Sequence, residues 1–403
     1  MRNILVAQSG GPTAAINATL CGVLEKARDL KFDNIYAARY GIKGLLKGDI
    51  LNLNFIKKED LELLKTTPSS ILGSCRYKLK DFDEGEEEYE QIVKILREHE
   101  IGYFIYIGGN DSMDTVEKFS RYLKYRNITD IFMVGAPKTI DNDLEETDHC
   151  PGFASAAKYI ATTFKELERD TAVYDVKSVT IVETMGRDAG WLTAASCLSK
   201  GEDCPGPSLV YCCERAFSVE GFLEEVEGEL KAKNNILVAV SEGIKNEKNE
   251  LISSYVSKDK KDMFGHSNNA GVAKFLEEVV RKEIGIKVRS VELNICQRAA
   301  SHLASYVDIE ESFNVGKKAV ELLNEEKSGV MVTIERKEQK EYEVCYSCSD
   351  VFNVANRVKK MPENFILKER AYITEEAYLY LQPLILGEVK LKYKDGVPLF
   401  FKF

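Results

Sequence analysis

The stretch Tyr103-Phe104-Ile105-Tyr106-Ile107-Gly108-Gly109-Asn110-Asp111-Ser112 indicates how this chain folds. Its five apolar residues predict a buried strand, and Gly-Gly followed by Asp-Ser predicts a tight turn into a helix. Glycine lets backbone N–H groups approach a phosphate closely, and a helix N-terminus adds a favourable dipole. The stretch therefore predicts a strand that ends in an anion-binding turn.

A second strand is predicted at residues 131–134. It leads to Pro137-Lys138-Thr139-Ile140-Asp141-Asn142-Asp143, which carries one cation and two carboxylates. Open α/β sheets bind their ligands at the carboxyl ends of the strands. We interpret the two strand ends together as parts of a phosphoryl-transfer site, although the motif around Asn142 alone is more often a simple polar turn.

Predicted strands and helices alternate along the chain, which is the pattern of βαβ units. In the N-terminal half the predicted strands are residues 4–7, 34–38, 103–107 and 131–134. A second alternating series begins near residue 152. The pattern indicates an α/β protein.

The composition is that of an acidic globular protein. The chain has 403 residues, enough for two domains, and 44% hydrophobic content supports sizeable cores. The net charge of −10 argues against binding of nucleic acid or of anionic membranes. No apolar run approaches the ~20 residues of a membrane-spanning helix. We expect residues 4–7 to be the first core strand and not part of a signal peptide.

The ten cysteines give no disulfide framework. The pair Cys345-x-x-Cys348 is open to three interpretations: half of a metal site, a redox pair, or ordinary reduced thiols, which we favour. Reduced thiols are typical of a cytoplasmic protein, and this is the expected location.

Six segments, in this order along the chain, resemble the phosphofructokinase family. They are the two stretches quoted above together with Gln8-Ser9-Gly10-Gly11-Pro12-Thr13-Ala14-Ala15-Ile16-Asn17, Leu72-Gly73-Ser74-Cys75-Arg76, Glu183-Thr184-Met185-Gly186-Arg187-Asp188-Ala189-Gly190, and the pair Ser241-Glu242-Gly243 and Gln297-Arg298. The resemblance extends from about residue 4 to about residue 300. It implies two Rossmann-like three-layer α/β domains with the active site in the cleft between them.

The resemblance also implies a division of labour between the domains. We expect residues 1–152, completed by part of residues 297–360, to bind the phosphoryl donor. Residues 153–296 are expected to bind the sugar phosphate, and residues 330–403 to form a C-terminal extension that packs on both domains. A homodimer or homotetramer is expected.

In kinases of this family, the first Asp of Thr-Ile-Asp-x-Asp is the base that takes the proton from the sugar 1-hydroxyl. The resemblance assigns this role to Asp141, with Asp143 as its companion. Arg76 is expected to bridge the donor and acceptor phosphates, and Gly10 and Gly11 to approach the donor. The implied sugar-phosphate contacts are Thr139, Met185, Gly186, Arg187, Glu242, Arg298 and, from a neighbouring subunit, Arg289. A single arginine outside such a motif is usually part of a surface ion pair.

Two positions indicate the donor. ATP-using relatives have glycine where this chain has Asp111 and Lys138. The Asp111 carboxylate opposes an anionic α-phosphate by charge and bulk, while Lys138 neutralises inorganic diphosphate. The pair is the signature of the pyrophosphate-dependent branch. It implies reversible, glycolytic phosphoryl transfer from diphosphate to fructose 6-phosphate.

Three other functions stay open at this point. They are an ATP-dependent kinase of the same fold, a kinase with a side activity on another sugar phosphate such as sedoheptulose 7-phosphate, and a non-catalytic sugar-phosphate-binding regulatory subunit.

The sequence departs from the family pattern at Asn110, at Ile295 and at Ser178, where some relatives have an arginine. Asn110 stands where the family usually has a metal-associated aspartate, so the expected Mg²⁺ would be held by Asn110 and Asp111. Ile295 stands where relatives have His or Tyr, which puts one sugar-phosphate hydrogen bond in doubt.

Overall fold

Two β-sheets organise the chain in a computed structural model that describes residues 2–255, 271–339 and 341–403. In spatial order, the first sheet consists of β11 (Val344–Asp350), β10 (Val330–Arg336), β5 (Phe132–Pro137), β4 (Ile101–Gly108), β1 (Asn3–Gln8), β2 (Asn34–Ala38) and β3 (Ile50–Asn52). The second consists of β7 (Leu209–Tyr211), β8 (Asn235–Ser241), β6 (Ser178–Thr184) and β9 (Lys287–Glu292). A short hairpin near the C-terminus is formed by β12 (Tyr393–Lys394) and β13 (Val397–Pro398).

The helices lie between and around these strands. They are α1 (Ile16–Asp29), α2 (Gly41–Leu45), α3 (Lys58–Lys65), α4 (Phe82–Glu98), α5 (Asn110–Tyr125), α6 (Phe153–Thr171), α7 (Trp191–Ala195), α8 (Val219–Ala232), α9 (Val272–Glu283), α10 (Tyr306–Asn324) and α11 (Glu375–Leu381).

The first sheet is covered on both faces. Its central strands, from β10 to β2, run parallel, and the edge strands β11 and β3 are antiparallel to their neighbours. Along β1, Ile4 and Val6 pack with α1, α3 and α10, whereas Leu5 and Ala7 pack with α4 and α5. Burial on both faces explains why β1 is a continuous apolar run and not an alternating one.

The second sheet has the same layered design. Its four strands are all parallel. One face packs on α6, α7 and α11, and the other face packs on α8 and α9. The expected fold class, two three-layer α/β units, is confirmed.

Helix α10 returns the chain from the second unit to the first. Its backbone touches that of α1, because a Cβ on Gly22 would lie 1.9 Å from the carbonyl oxygen of Phe313, and one on Gly316 would lie 2.0 Å from that of Thr19. Only glycine permits such an approach. After α10, strands β10 and β11 complete the first sheet beside β5. The exact domain boundaries given above stay a prediction.

A buried charged cluster joins the first unit to α10. The ring of His149 is bonded from Nδ1 to Asp148 Oδ1 at 2.8 Å and from Nε2 to Glu311 Oε2 at 2.5 Å. Tyr342 donates to the other oxygen of Glu311 at 2.6 Å. Burial alone would lower the pKa of His149, but the Glu311 carboxylate and the hydrogen bonds to both acids raise it to about 9. The imidazole is therefore a buried cation between two carboxylates.

Cys345 and Cys348 both lie on β11, where they are paired with Glu335 and Val332. Residues three apart on a strand point to opposite faces, so these two thiols do not converge on one metal ion. All ten cysteines are free thiols. Across the described ranges, no helix is long and apolar enough to cross a membrane.

Candidate active site

A cavity of about 590 Å³ lies between the carboxyl ends of the first sheet's strands and loops of the second unit. Most residues singled out in the sequence line it, namely Gly10, Gly11, Arg76, Asn110, Asp111, Lys138, Thr139, Asp141, Asp143, Met185, Arg187 and Arg298. These residues come from both units. The active-site candidate therefore lies in the cleft between them.

Lys138 occupies the centre of the donor side. Its side chain is only 2% exposed, and Nζ donates to the carbonyl oxygen of Gly11 at 2.7 Å. A Cβ at Gly10 would come within 3.0 Å of this Nζ, and Gly10 has φ +77°, so glycine is required there. Burial lowers the pKa of Lys138 to about 8, against the opposing effect of Asp141 and Asp143. The ammonium is poised for an anion that would stabilise its charge.

Helix α5 begins at the end of β4 and points its N-terminus into the cavity. Gly108 is needed at this turn, since a Cβ there would lie 1.9 Å from Ser112 Oγ. The unpaired N–H groups at a helix start and the helix dipole both favour a bound anion. Asp111 is exposed in the first turn of this helix. It places a carboxylate beside the predicted phosphate position.

Asn110 has a different environment from the one the sequence suggests. Its Oδ1 accepts a hydrogen bond from the backbone N–H of Asn356 at 2.6 Å, and its Nδ2 donates to the carbonyl oxygen of Arg357. The amide thus contacts the C-terminal segment of the chain. In the portion of the chain that the structure describes, no group of three or more His, Cys, Asp or Glu residues is arranged to hold a metal ion.

The turn after β5 carries the two acids. Asn142, at its centre, is buried with φ +56°, and its Oδ1 accepts from the backbone N–H of Cys150 at 2.9 Å. The N–H of Asp141 donates to Thr139 Oγ1 at 3.1 Å. Burial and then the neighbouring carboxylates of Asp143 and Glu242 raise the pKa of Asp141 well above the usual range of a carboxyl group. The turn therefore places at the cavity a carboxyl group that holds its proton more strongly than an exposed one.

The acceptor side is built from the loops after β6 and β8. Gly186, at φ +119°, donates from its backbone N–H to Glu242 Oε1 at 3.3 Å, and its carbonyl oxygen accepts from Ser241 Oγ at 2.6 Å. Met185 N–H donates to Gln297 Oε1 at 3.2 Å, which fixes this loop next to Arg298. Gly186 and Glu242 therefore lie directly behind the cavity wall formed by Met185 and Arg187.

Two buried polar atoms in this cleft have no hydrogen-bond partner among the described residues: Asp143 Oδ1 and Arg298 Nε. Buried polar groups are nearly always satisfied, so two unpaired groups of opposite charge on residues that line one cleft are compatible with a ligand that carries both hydroxyl and anionic groups. A sugar phosphate has both.

Arg289 and Ile295 lie away from the cavity. Arg289 is exposed on β9 and pairs with Asp170 Oδ2 at 3.0 Å. Its role in a neighbouring subunit's site stays a prediction. Ile295 is 62% exposed and lies in a short 3₁₀ turn, Asn294–Arg298.

Several residues to which the sequence motifs assign no role also line the cavity, among them Ser9, Pro12, Cys75, Tyr77 and Lys78. Most of them are chain neighbours of residues that the motifs do assign. Lys78 is the most informative of these, because the Arg76-x-Lys78 spacing places a second cation at the same rim. Their position next to motif residues is the sequence feature that could have identified them as part of the site.

Three comparisons agree with the geometry. The sequence model of the family described as Phosphofructokinase matches residues 3–323. The pyrophosphate–fructose 6-phosphate 1-phosphotransferase of Methylococcus capsulatus is 39% identical over 406 residues, covering 98% of this chain and 94% of that protein. The protein of the same name from Xanthomonas campestris pv. campestris is 40% identical, again over 98% and 94%. The crystal structure of a pyrophosphate-dependent phosphofructokinase from Nitrosospira multiformis is 37% identical, with a TM-score of 0.89 and coverage of 100% of this chain and 96% of that one.

Proposed function

The chain belongs to the phosphofructokinase family, and from this premise we propose that it is a diphosphate–fructose-6-phosphate 1-phosphotransferase. It transfers a phosphoryl group from inorganic diphosphate to the 1-hydroxyl of fructose 6-phosphate, giving fructose 1,6-bisphosphate and phosphate. The observation that carries the proposal is the buried Lys138 ammonium, held at the Gly10–Gly11 turn in the same cavity as Asp141.

The donor is bound by groups that need no nucleoside. The N-terminus of α5, the backbone of the glycine turn and the Lys138 ammonium form a compact anion site. Burial lowers the pKa of Lys138. The negative charge of bound diphosphate offsets this effect and stabilises the ammonium form. Arg76, at the rim, follows the negative charge as it moves from donor to acceptor.

Asp141 acts as the general base. Its carboxylate takes the proton of the sugar 1-hydroxyl while the hydroxyl oxygen attacks the terminal phosphorus atom of diphosphate, and inorganic phosphate leaves. Burial raises the pKa of this carboxyl group to about 8, so its ionised form is a stronger proton acceptor than an exposed carboxylate. In the reverse direction the protonated Asp141 returns the proton to the leaving sugar oxygen.

The acceptor is positioned by the second unit. Arg187 and Arg298, which line the cavity, offer guanidinium groups for the 6-phosphate. The orphaned Arg298 Nε supports this assignment. Glu242, which lies behind the cavity wall and accepts from Gly186 N–H, is the proposed partner of the sugar hydroxyls. Asp143 and Thr139 complete the hydroxyl contacts.

The choice of donor follows from Asp111. A nucleoside triphosphate would bring its α-phosphate to the start of α5, where Asp111 adds a like charge and a side chain. Inorganic diphosphate has no third phosphate and therefore brings less negative charge against this carboxylate.

We also propose Mg²⁺ as the cofactor. Magnesium is usually held by one or two carboxylates together with substrate phosphates, and the exposed carboxylate of Asp111 beside the anion site fits that requirement. When bound, it neutralises charge on the phosphates at the transition state. The Asn110 amide already has two backbone partners, so Asp111 is the better ligand of the two.

A cytoplasmic homodimer or homotetramer completes the proposal. The ten free thiols support the location. The exposed Arg289 supports an assembly in which a partner chain uses it, and the molar mass in solution tests this.

The decisive experiment measures formation of fructose 1,6-bisphosphate with diphosphate and with ATP as alternative donors. Activity with diphosphate alone is expected. Activity with ATP alone would establish the ATP-dependent alternative, and inactivity with both at saturating Mg²⁺ would favour a regulatory role.

A further inference from the structure

Residues 356–361, here termed the strap, run past the active-site cavity after β11. The strap contacts the start of α5, the turn after β5 and the start of α7, and each of these lies next to residues of the proposed site. It also contacts Lys78 and Glu214. These contacts occur at its beginning, its middle and its end.

The beginning of the strap is bonded to the donor side. Both atoms of the Asn110 amide group bond the strap backbone, Oδ1 to Asn356 N–H at 2.6 Å and Nδ2 to the Arg357 carbonyl. Asn356 Nδ2 donates to Asp114 Oδ1 at 2.7 Å, one turn further along α5. Asp114 is itself buried and paired with Lys118 at 2.8 Å. The strap is thereby attached to the helix end that faces the donor.

The middle of the strap is bonded to the catalytic turn. The backbone N–H of Lys359 donates to the carbonyl oxygen of Asp143 at 2.8 Å. Its side-chain Nζ donates to the carbonyl oxygens of Thr147, at 2.7 Å, and Asp148. Lys359 therefore holds the turn that carries both acids.

The end of the strap is bonded to the acceptor side. Trp191 Nε1 donates to the Lys359 carbonyl at 3.2 Å. Met361 N–H donates to Glu214 Oε1 at 3.1 Å, and the same oxygen accepts from Gly190 N–H at 2.7 Å. Gly190 and Trp191 closely follow the Arg187 loop in the chain.

We propose that the strap is a positioning element that fixes the donor helix, the catalytic turn and the acceptor loop relative to one another, with Asn110 and Lys359 as its positioning residues. The inference rests on the proposed function. In-line transfer needs the attacking oxygen and the phosphorus atom within a narrow distance, and a misplacement of ~1 Å costs about 10²-fold in rate. A segment bonded to all three parts supplies that constraint.

The strap also explains the asparagine at position 110. An aspartate there would accept the Asn356 N–H bond but would place a carboxylate oxygen against the Arg357 carbonyl, where Nδ2 now donates. Asparagine is the residue type that satisfies one donor and one acceptor together. A metal ligand has no need of the amide nitrogen.

The experiment compares Asn110→Ala, Asn110→Asp and Lys359→Met with the control Val358→Thr, an exposed position on the same strap. For each protein, kcat, both KM values, the Mg²⁺ concentration for half-maximal activity and the Tm are measured. Hydrogen exchange of the Lys359, Met361 and Gly190 amides is followed as a readout that does not depend on catalysis.

We expect kcat to fall about 10- to 100-fold in the three variants, at a temperature where each is folded, with KM values and the Mg²⁺ requirement within about twofold of wild type. The three amides should exchange at least about tenfold faster in Asn110→Ala, and the control should match wild type. Unchanged kcat in Asn110→Ala, or opposite shifts of the Mg²⁺ requirement in the Ala and Asp variants, would overturn the proposal. An inactive wild type would defeat the proposed function alone, and unchanged amide exchange in Asn110→Ala would still defeat the strap.

Discussion

Lys138 Nζ donates to the carbonyl oxygen of Gly11 at 2.7 Å, so the ammonium group that follows β5 is fixed by the turn that follows β1. The pairing couples two elements that together bind the phosphoryl donor. It also explains why the lysine keeps a partner when no anion is bound.

Replacing the base should remove turnover without removing binding. Asp141→Asn keeps the shape of the side chain but cannot accept the sugar proton, so kcat should fall by about 10²–10⁴-fold with smaller changes in KM. Steady-state rates in both directions check this, with Asp141→Ala as a second variant. Near-normal turnover in either direction would mean that another group is the base.

Donor choice should depend on two side chains. Asp111→Gly removes a like charge near the α-phosphate and should raise kcat/KM for ATP by roughly tenfold or more. Lys138→Gly should lower kcat/KM for diphosphate by about 10²–10³-fold without creating good use of ATP, because Asp111 still opposes the nucleotide. The double variant should shift preference furthest, and the two effects should be non-additive. A wild-type preference for ATP would contradict the assignment.

The rate should depend on pH with two limbs. Asp141 must be ionised to accept a proton, so kcat/KM rises with pH through its pKa, which burial raises to about 8. Lys138 must be charged, and since its pKa is lowered to about 8, kcat/KM falls as the pH rises through that value. The two limbs therefore meet in a narrow optimum near pH 8. In Lys138→Met, kcat/KM should be lower at every pH and should no longer fall as the pH rises above about 8. Retention of this fall in that variant would assign it to another group.

Magnesium should be required for transfer and should depend on Asp111. Activity should be lost in excess chelator and restored by added Mg²⁺, since clustered phosphates need neutralisation. Asp111→Asn should raise the Mg²⁺ concentration for half-maximal activity severalfold, because one carboxylate charge is removed. Full rates in chelator would exclude the metal from the reaction.

The buried His149 cation should make stability depend on pH. Its folded pKa of about 9 lies above the unfolded value near 6.5, so its contribution is complete below about pH 6.5 and is lost as the pH rises through 9. The contribution is on the order of 3 kcal/mol, because each tenfold gain in proton affinity on folding corresponds to about 1.4 kcal/mol. The difference in unfolding free energy between wild type and His149→Gln should therefore shrink by about this amount between pH 6 and pH 10.

His302→Gln, at an exposed histidine, provides the matched control and should leave the pH dependence of stability unchanged. An equal difference between wild type and His149→Gln at both pH values would show that the imidazole is neutral in the folded chain.

Local sequence patterns are enough to predict strands β1, β2, β4 and β5 and the edge at which the candidate site lies, but not the edge strands β3 and β9. The strand predicted at residues 4–7 is β1, because burial on both faces leaves a continuous apolar run. The strand predicted at residues 131–134 extends further, to Pro137. Gly135 and Ala136 have low strand propensity, so local patterns do not predict the extension, but both residues pair with β4. Pairing overrides propensity there.

Long-range contacts were outside the reach of local patterns. Asn110 and Asn356 are separated by 246 positions in the chain, and nothing in either neighbourhood indicates that their bond exists. From the sequence alone the Asn110 amide is predicted to hold a metal, and that role stays a prediction. The approach of Gly22 and Gly316 is similar, because a glycine within a helix gives no sign of its partner helix.

The late arrival of β10 has a consequence for synthesis on the ribosome. β5 ends at Pro137 and β10 begins at Val330, so its neighbour is made about 190 residues later, roughly 10–40 s at typical rates of translation. Throughout that interval β5 is an open edge that can pair with another nascent chain. The second sheet, whose strands lie within residues 178–292, is complete earlier. The unit that is made first is therefore the one that finishes folding last.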